Sequence, residues 1–205
     1  MNLEKYQQYS RIARGLEKAD LVLKDARIVN VFTEEIIRGD IAIQDGIIAG
    51  IGSFHGKEER DLAGRYVCPG FIDSHLHLES TLVTPAELVT VASRHGTTTF
   101  IVDPHESANV SGLAGVDYIL DQTENVKANV YVMMPSCVPA TSIDDNGCTL
   151  TAEDMAPYLH NSRILGLGEV MDSISVVQGE KSMHDKLELF EGRIRDGHAP
   201  FLEEG

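Results

Sequence analysis

From Val67 onward the chain alternates short apolar runs with helix-patterned stretches, a rhythm that only parallel βα architectures accommodate well. Runs at 67–73, 97–103, 129–134 and 164–168 read as strands. They lead to helices expected from Pro85 to His95 and near 113–126, 152–160 and 184–195, and Gly197-His198 marks the end of a fifth strand. Thr84 and Pro85 have the residue types of an N-cap and first helical position, and Gly96 those of a stop. Thr151 and Asp154 have capping-box spacing. Before this series, residues 3–18 have helical spacing through Tyr6, Ile12, Ala13 and Leu16. Residues 19–62 carry short strand patterns with Asp45-Gly46 as a hairpin turn.

Four βα units and the start of a fifth fit a doubly wound sheet or part of a (β/α)8 barrel. A nucleotide-binding sheet needs a glycine-rich phosphate loop after its first strand, and "DSHLHLES" is not one. In a barrel the active site gathers at the C-terminal ends of the strands. The polar candidates all fall at such ends: His75 and His77, His105 and Glu106, Ser136, Glu169 and His198. The expected fold class is therefore α/β. A partial TIM-type barrel of about five strands (67–205) follows an N-terminal helix (1–18) and a small β-sandwich-like unit (19–66).

His75 and His77 are spaced i, i+2, so an extended backbone puts both imidazoles on one face about 7 Å apart. Two such rings can hold one divalent cation if further ligands arrive from elsewhere. An isolated His-x-His is equally compatible with hydrogen-bonded or surface histidines. Glu169 lies in "ILGLGEVMD", where a lone carboxylate in an apolar, glycine-rich strand end requires a partner. Asp73 reads as a buried hydrogen-bonding acid. His55 falls in a polar loop, and His95, His160 and His184 at helix ends where a cation or cap is favoured.

The net charge of −15 leaves no cationic footprint for a nucleic-acid backbone. Cys68, Cys137 and Cys148 form no C-x-x-C pair and no even disulfide framework, which points to a reducing compartment and packing roles. The first twenty residues lack the apolar core of a signal peptide, and no later run approaches a membrane span. A cytoplasmic location without membrane contact is expected.

"PGFIDSHLHLEST", "GTTTFIVDPHESANV", "MMPSCVPAT", "LGLGEVMD" and "DGHAP" occur in that order, and together they resemble the bacterial adenine deaminase branch of the metal-dependent amidohydrolase superfamily. The resemblance runs from near the N-terminus to about Pro200. It implies hydrolytic deamination of adenine to hypoxanthine and ammonia, a step of purine catabolism, at a binuclear centre of Mn2+ or Fe2+, with zinc also compatible. His75 and His77 would bind the first metal, Glu169 would bridge both, and His198 would bind the second. His105 and Glu106 would line the substrate pocket, hold an auxiliary metal or orient a ligand, and Ser136 would contact the purine or serve only as loop structure.

The resemblance also implies a histidine on a sixth strand and an aspartate on an eighth, positions that this sequence does not contain. Residues 201–205 leave the family pattern, and about 140 residues from Val67 fall short of the roughly 250 that a closed barrel takes. An unclosed sheet has apolar faces and free edges, so a homo-oligomer or self-association is expected. Two alternatives stand beside the deaminase: another amidohydrolase such as a dihydroorotase-like enzyme, and a noncatalytic remnant acting as an interaction module.

Overall fold

Asn2 caps the first helix, α1 (Leu3–Ala13), by accepting a hydrogen bond from the Lys5 amide at 2.9 Å. The helix stops earlier than its apolar spacing suggests because Gly15 turns the chain at φ +71°. The computed structural model describes residues 2–141 and 143–198. They fall into two compact units, Met1–Pro69 and Gly70–Gly205.

The first unit is a mixed five-stranded sheet: β1 (Ala19–Asn30), β2 (Glu35–Gln44), β3 (Ile47–Gly52), β4 (Gly56–Asp61) and β5 (Tyr66–Val67). Its order is β3-β2-β1-β4, with β5 also paired to β1. Asp45 and Gly46 both have positive φ, 50° and 77°, the geometry a two-residue hairpin between β2 and β3 requires. Ile12, Ala19, Val22, Ala42 and Phe54 form one apolar cluster and Ala26, Ile28 and Ile41 another. Between them the buried Asp40 carboxylate accepts from the Lys24 ammonium and from the Phe54 and Asp25 amides, the latter two at 3.1 Å.

Pro69 and Gly70 divide what the sequence pattern reads as one strand over 67–73. Proline has no N–H for a ladder. Tyr66–Val67 therefore ends the first sheet, and β6 (Phe71–Leu76) begins the second. From there the βα alternation expected from the sequence is present. It runs α2 (Pro85–Ser93), β7 (Thr97–Val102), α3 (His105–Ser111), α4 (Leu113–Gln122), β8 (Asn129–Pro135), α5 (Ala152–Met155), β9 (Ile164–Val170), α6 (Ser173–Gln178), α7 (Lys181–Leu189) and β10 (Ile194–Gly197). The strands lie in the order β10-β9-β8-β7-β6, all pairs parallel, so the second unit is a half-barrel sheet.

Three helices differ from the sequence pattern. The stretch expected near 113–126 is preceded by the separate α3, because Gly112 breaks the chain at φ +62°. The stretch 152–160 is α-helical only to Met155 and continues as a 3-10 turn over Ala156–His160, where Pro157 cannot donate to an α-helical ladder. Its start is as expected: Thr151 and Asp154 form a reciprocal capping box. The helix placed at 184–195 is α7, which begins at Lys181 and ends at Leu189, with the shorter α6 before it.

Phe100, Val102, Val130, Val132, Met134, Ile164 and Leu167 from the strands pack against Val89, Val116, Ile119, Met155 and Phe190 from the helices. This continuous core on the helix-covered face fixes the strand ends that carry the polar candidates. The departure from family pattern at residues 201–205 lies outside the described residues.

Candidate metal centre

Each strand end of the half-barrel delivers one or two polar side chains to a common mouth. His75 and His77 leave β6 where its pairing to β7 shifts register between Asp73 and Leu76. Asp103 and His105 follow β7, Ser136 and Cys137 follow β8, Glu169 lies near the end of β9, and His198 follows β10.

The centre of the arrangement is the Glu169 carboxylate, 4% exposed. Its Oε1 lies 2.7 Å from His75 Nε2, 3.1 Å from His198 Nε2 and 3.6 Å from His77 Nε2. The His75 and His77 Nε2 atoms are themselves 3.1 Å apart. His77 Nδ1 faces two acceptors, the Asp103 carbonyl at 2.9 Å and Glu106 Oε2 at 3.1 Å. Both demand a proton on Nδ1, so neutral His77 presents the Nε2 lone pair to the mouth.

The backbone around Glu169 is pinned from two sides. Its amide donates to Asp103 Oδ2 at 2.6 Å and its carbonyl accepts from Ser136 Oγ at 2.7 Å. Ser136 in turn donates its amide to the Gly168 carbonyl at 2.6 Å, and its carbonyl accepts from the buried Lys186 ammonium at 2.7 Å. Burial lowers the pKa of Lys186 below the ordinary lysine value. Ser136 thus sits behind Glu169 with its hydroxyl committed to main chain, which supports the structural reading of this loop over contact with a purine.

His105 Nδ1 lies 3.1 Å from Glu169 Oε2 and 3.5 Å from Asp103 Oδ1. Neither approach has hydrogen-bond alignment. The Asp103 carboxylate, with Cys137 beside it, pushes the His105 pKa up to about 11. Glu106 bridges His77 to Ser80, accepting from Ser80 Oγ at 2.7 Å, and behind it burial and the Glu106 charge raise Glu79 to about 7. A cleft of about 1020 Å³ lined by Ser136, Pro139, Asp172 and Lys186 flanks the cluster, and none of the histidines lines it.

The donors fit a divalent cation. Ligand atoms at ~2.0–2.2 Å from a four-coordinate ion are roughly 3.3–3.6 Å apart. The gaps of 3.1 and 3.6 Å among the ring nitrogens and Glu169 Oε1 lie close to that range, whereas His75 Nε2, at 2.7 Å from Oε1, is nearer than two ligands of one ion stand. His75, His77 and Glu169 each offer a donor atom within 4.8 Å of the others. The four residues singled out in the sequence as ligands are thus brought together, and His105 joins them. Asp103 and Lys186 went unnoticed in the sequence. Asp103 carries the signal that exposed Glu169, a single carboxylate ending an apolar strand, whereas nothing in the pattern of α7 marks Lys186 as buried.

A half-barrel of parallel strands with histidines and a carboxylate at its C-terminal mouth has the layout of an amidohydrolase fold, and residues 66–194 match the model of the amidohydrolase family. The chain belongs to that family, which implies a divalent metal centre. It is 57% identical over 204 residues to an adenine deaminase of Desulfitobacterium hafniense, covering 100% of this chain and 36% of that protein. Adenine deaminase 2 of Carboxydothermus hydrogenoformans is 49% identical over 92% of this chain and 33% of its own length. The chain therefore spans about a third of these curated relatives. The solved N-isopropylammelide isopropylaminohydrolase of Burkholderia multivorans shares the fold at TM-score 0.53 and 17% identity, over 88% of this chain and 53% of that one.

Proposed function

We propose that this chain carries part of the active site of an adenine deaminase, which hydrolyses adenine to hypoxanthine and ammonia. The observation that carries the reading is the convergence of His75, His77 and His198 on one oxygen of Glu169, in a chain closely similar to adenine deaminases. His75 and His77 would hold the first cation and His198 the second, with Glu169 shared between them. Manganese or ferrous iron suits the imidazole and carboxylate donors, and zinc is also compatible. A binuclear centre, when bound, supplies a water ionised near neutral pH.

The chain's own residues prepare that site. The Asp103 carbonyl and Glu106 lock the tautomer and ring plane of His77. The Asp103 side chain and Ser136 fix the backbone on either side of Glu169, so its carboxylate needs little reorganisation on binding. Of the residues proposed to meet substrate, Glu106 keeps an open carboxylate at the mouth, with a side chain 43% exposed, and can accept from an N–H of the base. His105 and Ser136 act from behind Glu169.

The charge of −15 favours a small neutral base over a nucleic acid. Among the described residues no helix is long and apolar enough to cross a membrane. The three unpaired cysteines support a cytoplasmic setting. β6 and β10 are the edges of the second sheet among the described residues, and Phe71, Ile72 and Ile194 on them are more than half exposed. Self-association along these edges is part of the proposal.

The test is release of ammonia and hypoxanthine from adenine, by this chain loaded with manganese or ferrous iron and co-expressed with the remaining length of the Desulfitobacterium relative. Turnover should appear with adenine and disappear in His75→Ala. Hydrolysis of dihydroorotate with no action on adenine would replace the reading by the dihydroorotase-like one, and metal binding with no turnover of either by the interaction module.

A further inference from the structure

Glu169 presents its two oxygens to different neighbours. Oε1 meets the three histidines described above, whereas Oε2 meets His105 Nδ1 at 3.1 Å, on the side of the carboxylate where Cys137 lies. Donor atoms of His105, Cys137 and Glu169 all lie within 4.8 Å of one another, and Asp103 Oδ1 is 3.5 Å from the same ring nitrogen. The pocket is dry: Asp103 is 1%, Cys137 3% and Glu169 4% exposed. Two of its atoms, His105 Nδ1 and Asp103 Oδ1, are buried without a hydrogen-bond partner.

Buried polar atoms are normally satisfied, and an orphaned pair facing each other calls for a shared partner. A proton joins only two heavy atoms at a time, whereas a tetrahedral cation joins four. Ligands at ~2.0–2.3 Å around such an ion are roughly 3.3–3.8 Å apart; His105 Nδ1 lies 3.1 Å from Glu169 Oε2 and 3.5 Å from Asp103 Oδ1. A mixed set of imidazole, thiol and carboxylate suits a borderline-soft ion.

We propose that Glu169 Oε2, His105 Nδ1 and Cys137 Sγ, with Asp103 Oδ1 beside the His105 ring, form a separate site for a divalent cation of the zinc type, with Cys137 bound as thiolate. Binding expels the thiol proton to the buffer and forms the sulfur–metal bond. The site shares Glu169 with the three-histidine cluster and depends neither on adenine as substrate nor on turnover. Sulfur also sets a selectivity: zinc or cobalt enters this pocket, and manganese prefers the histidine cluster.

The test uses the 205-residue chain with the other two thiols removed, Cys68→Ser/Cys148→Ser, so that Cys137 is the only sulfur nucleophile. Cobalt titration should give a thiolate-to-metal charge-transfer absorption. Adding His75→Ala/His77→Ala should preserve the band, and adding Cys137→Ser should abolish it and remove one ion from the equilibrium-dialysis stoichiometry. Circular dichroism checks that each variant is folded, and the band in the parent itself decides the matter if Cys137→Ser does not fold. Cobalt binding without the band overturns the proposal, as does an unchanged stoichiometry in folded Cys137→Ser. Loss of the band in folded His75→Ala/His77→Ala also overturns it, by assigning the thiol to the histidine cluster. A band without adenine turnover leaves this site standing while the deaminase reading fails.

Discussion

Gly168→Ala should damage the protein far more than a one-carbon change suggests, because Gly168 is where β9 passes closest to the supports of Glu169. An added Cβ would lie 2.5 Å from Met133 Cβ and 3.2 Å from Asp196 Oδ1, and closer still to Asp103 Oδ2. None of these can yield freely: Met133 is 2% exposed, and Asp103 Oδ2 holds the Glu169 amide. Overpacking of this kind costs about 1–3 kcal/mol. Losing a buried hydrogen bond to a charged acceptor adds roughly 1.5–3 kcal/mol. The expected destabilisation of the second unit is about 3–5 kcal/mol, measured by urea unfolding followed through near-ultraviolet circular dichroism. Gly192→Ala is the control, since its added Cβ meets nothing within 4 Å at φ +79°. It should lose only the ~1–2 kcal/mol of a left-handed residue with a side chain. In an Asp103→Ala background the cost of Gly168→Ala should shrink by more than about 1 kcal/mol, because the partner it displaces is gone. A cost no larger than that of Gly192→Ala, or one unchanged in the Asp103→Ala background, refutes the reasoning.

The first unit should lose stability in acid through Asp40. Burial alone would raise its pKa, but the hydrogen bonds from Lys24 and from the Phe54 and Asp25 amides outweigh this and hold it below the ordinary aspartate value. Its contribution is thus complete above the unfolded value of about 3.9 and is lost as pH falls through the lower folded value, so urea midpoints should drop below about pH 4. Asp40→Asn should flatten that slope and cost about 2 kcal/mol at neutral pH, less than the ~3–5 kcal/mol for breaking a fully buried pair because Lys24 is partly exposed; a slope that persists in Asp40→Asn contradicts this. Manganese at a hundredfold excess over its dissociation constant should stabilise the second unit by about 2.7 kcal/mol, reversed by chelator and absent in His75→Ala/His77→Ala, as read by thermal melts. Phe100→Ala, in the fully enclosed core behind β7, should cost about 3–5 kcal/mol in the same melts, and a loss below 1 kcal/mol would mean that this core is loosely packed.

The fold was legible where local chemistry repeats. The βα rhythm, the Asp45-Gly46 turn and the Thr151 capping box are signals within a few residues, and the structure has each. Helix ends were less legible, because Gly112 and Pro157 act on single positions inside stretches whose apolar spacing continues past them. His75 and His77 announce themselves by spacing, and Glu169 by its isolation in an apolar run. Cys137 does not: without a C-x-x-C pair it reads as packing, and its neighbours Asp103, His105 and Glu169 lie about thirty residues away on either side. Only the lateral pairing of β7, β8 and β9 makes them adjacent. Lys186 was invisible for the same reason, its acceptor, the Ser136 carbonyl, lying 50 residues earlier.

The lateral pairing also governs when the site comes into being. The rings that meet at Glu169 come from β6, β7 and β10, with His75 and His198 separated by most of the second unit's length, so the full set of contacts is available only once all five strands are paired. A one-residue slip of any strand turns its side chains to the opposite face. Cation uptake should therefore lag behind helix formation during folding and report the moment at which all five strands have found their register, making the ion a chronometer of sheet assembly as well as a reagent.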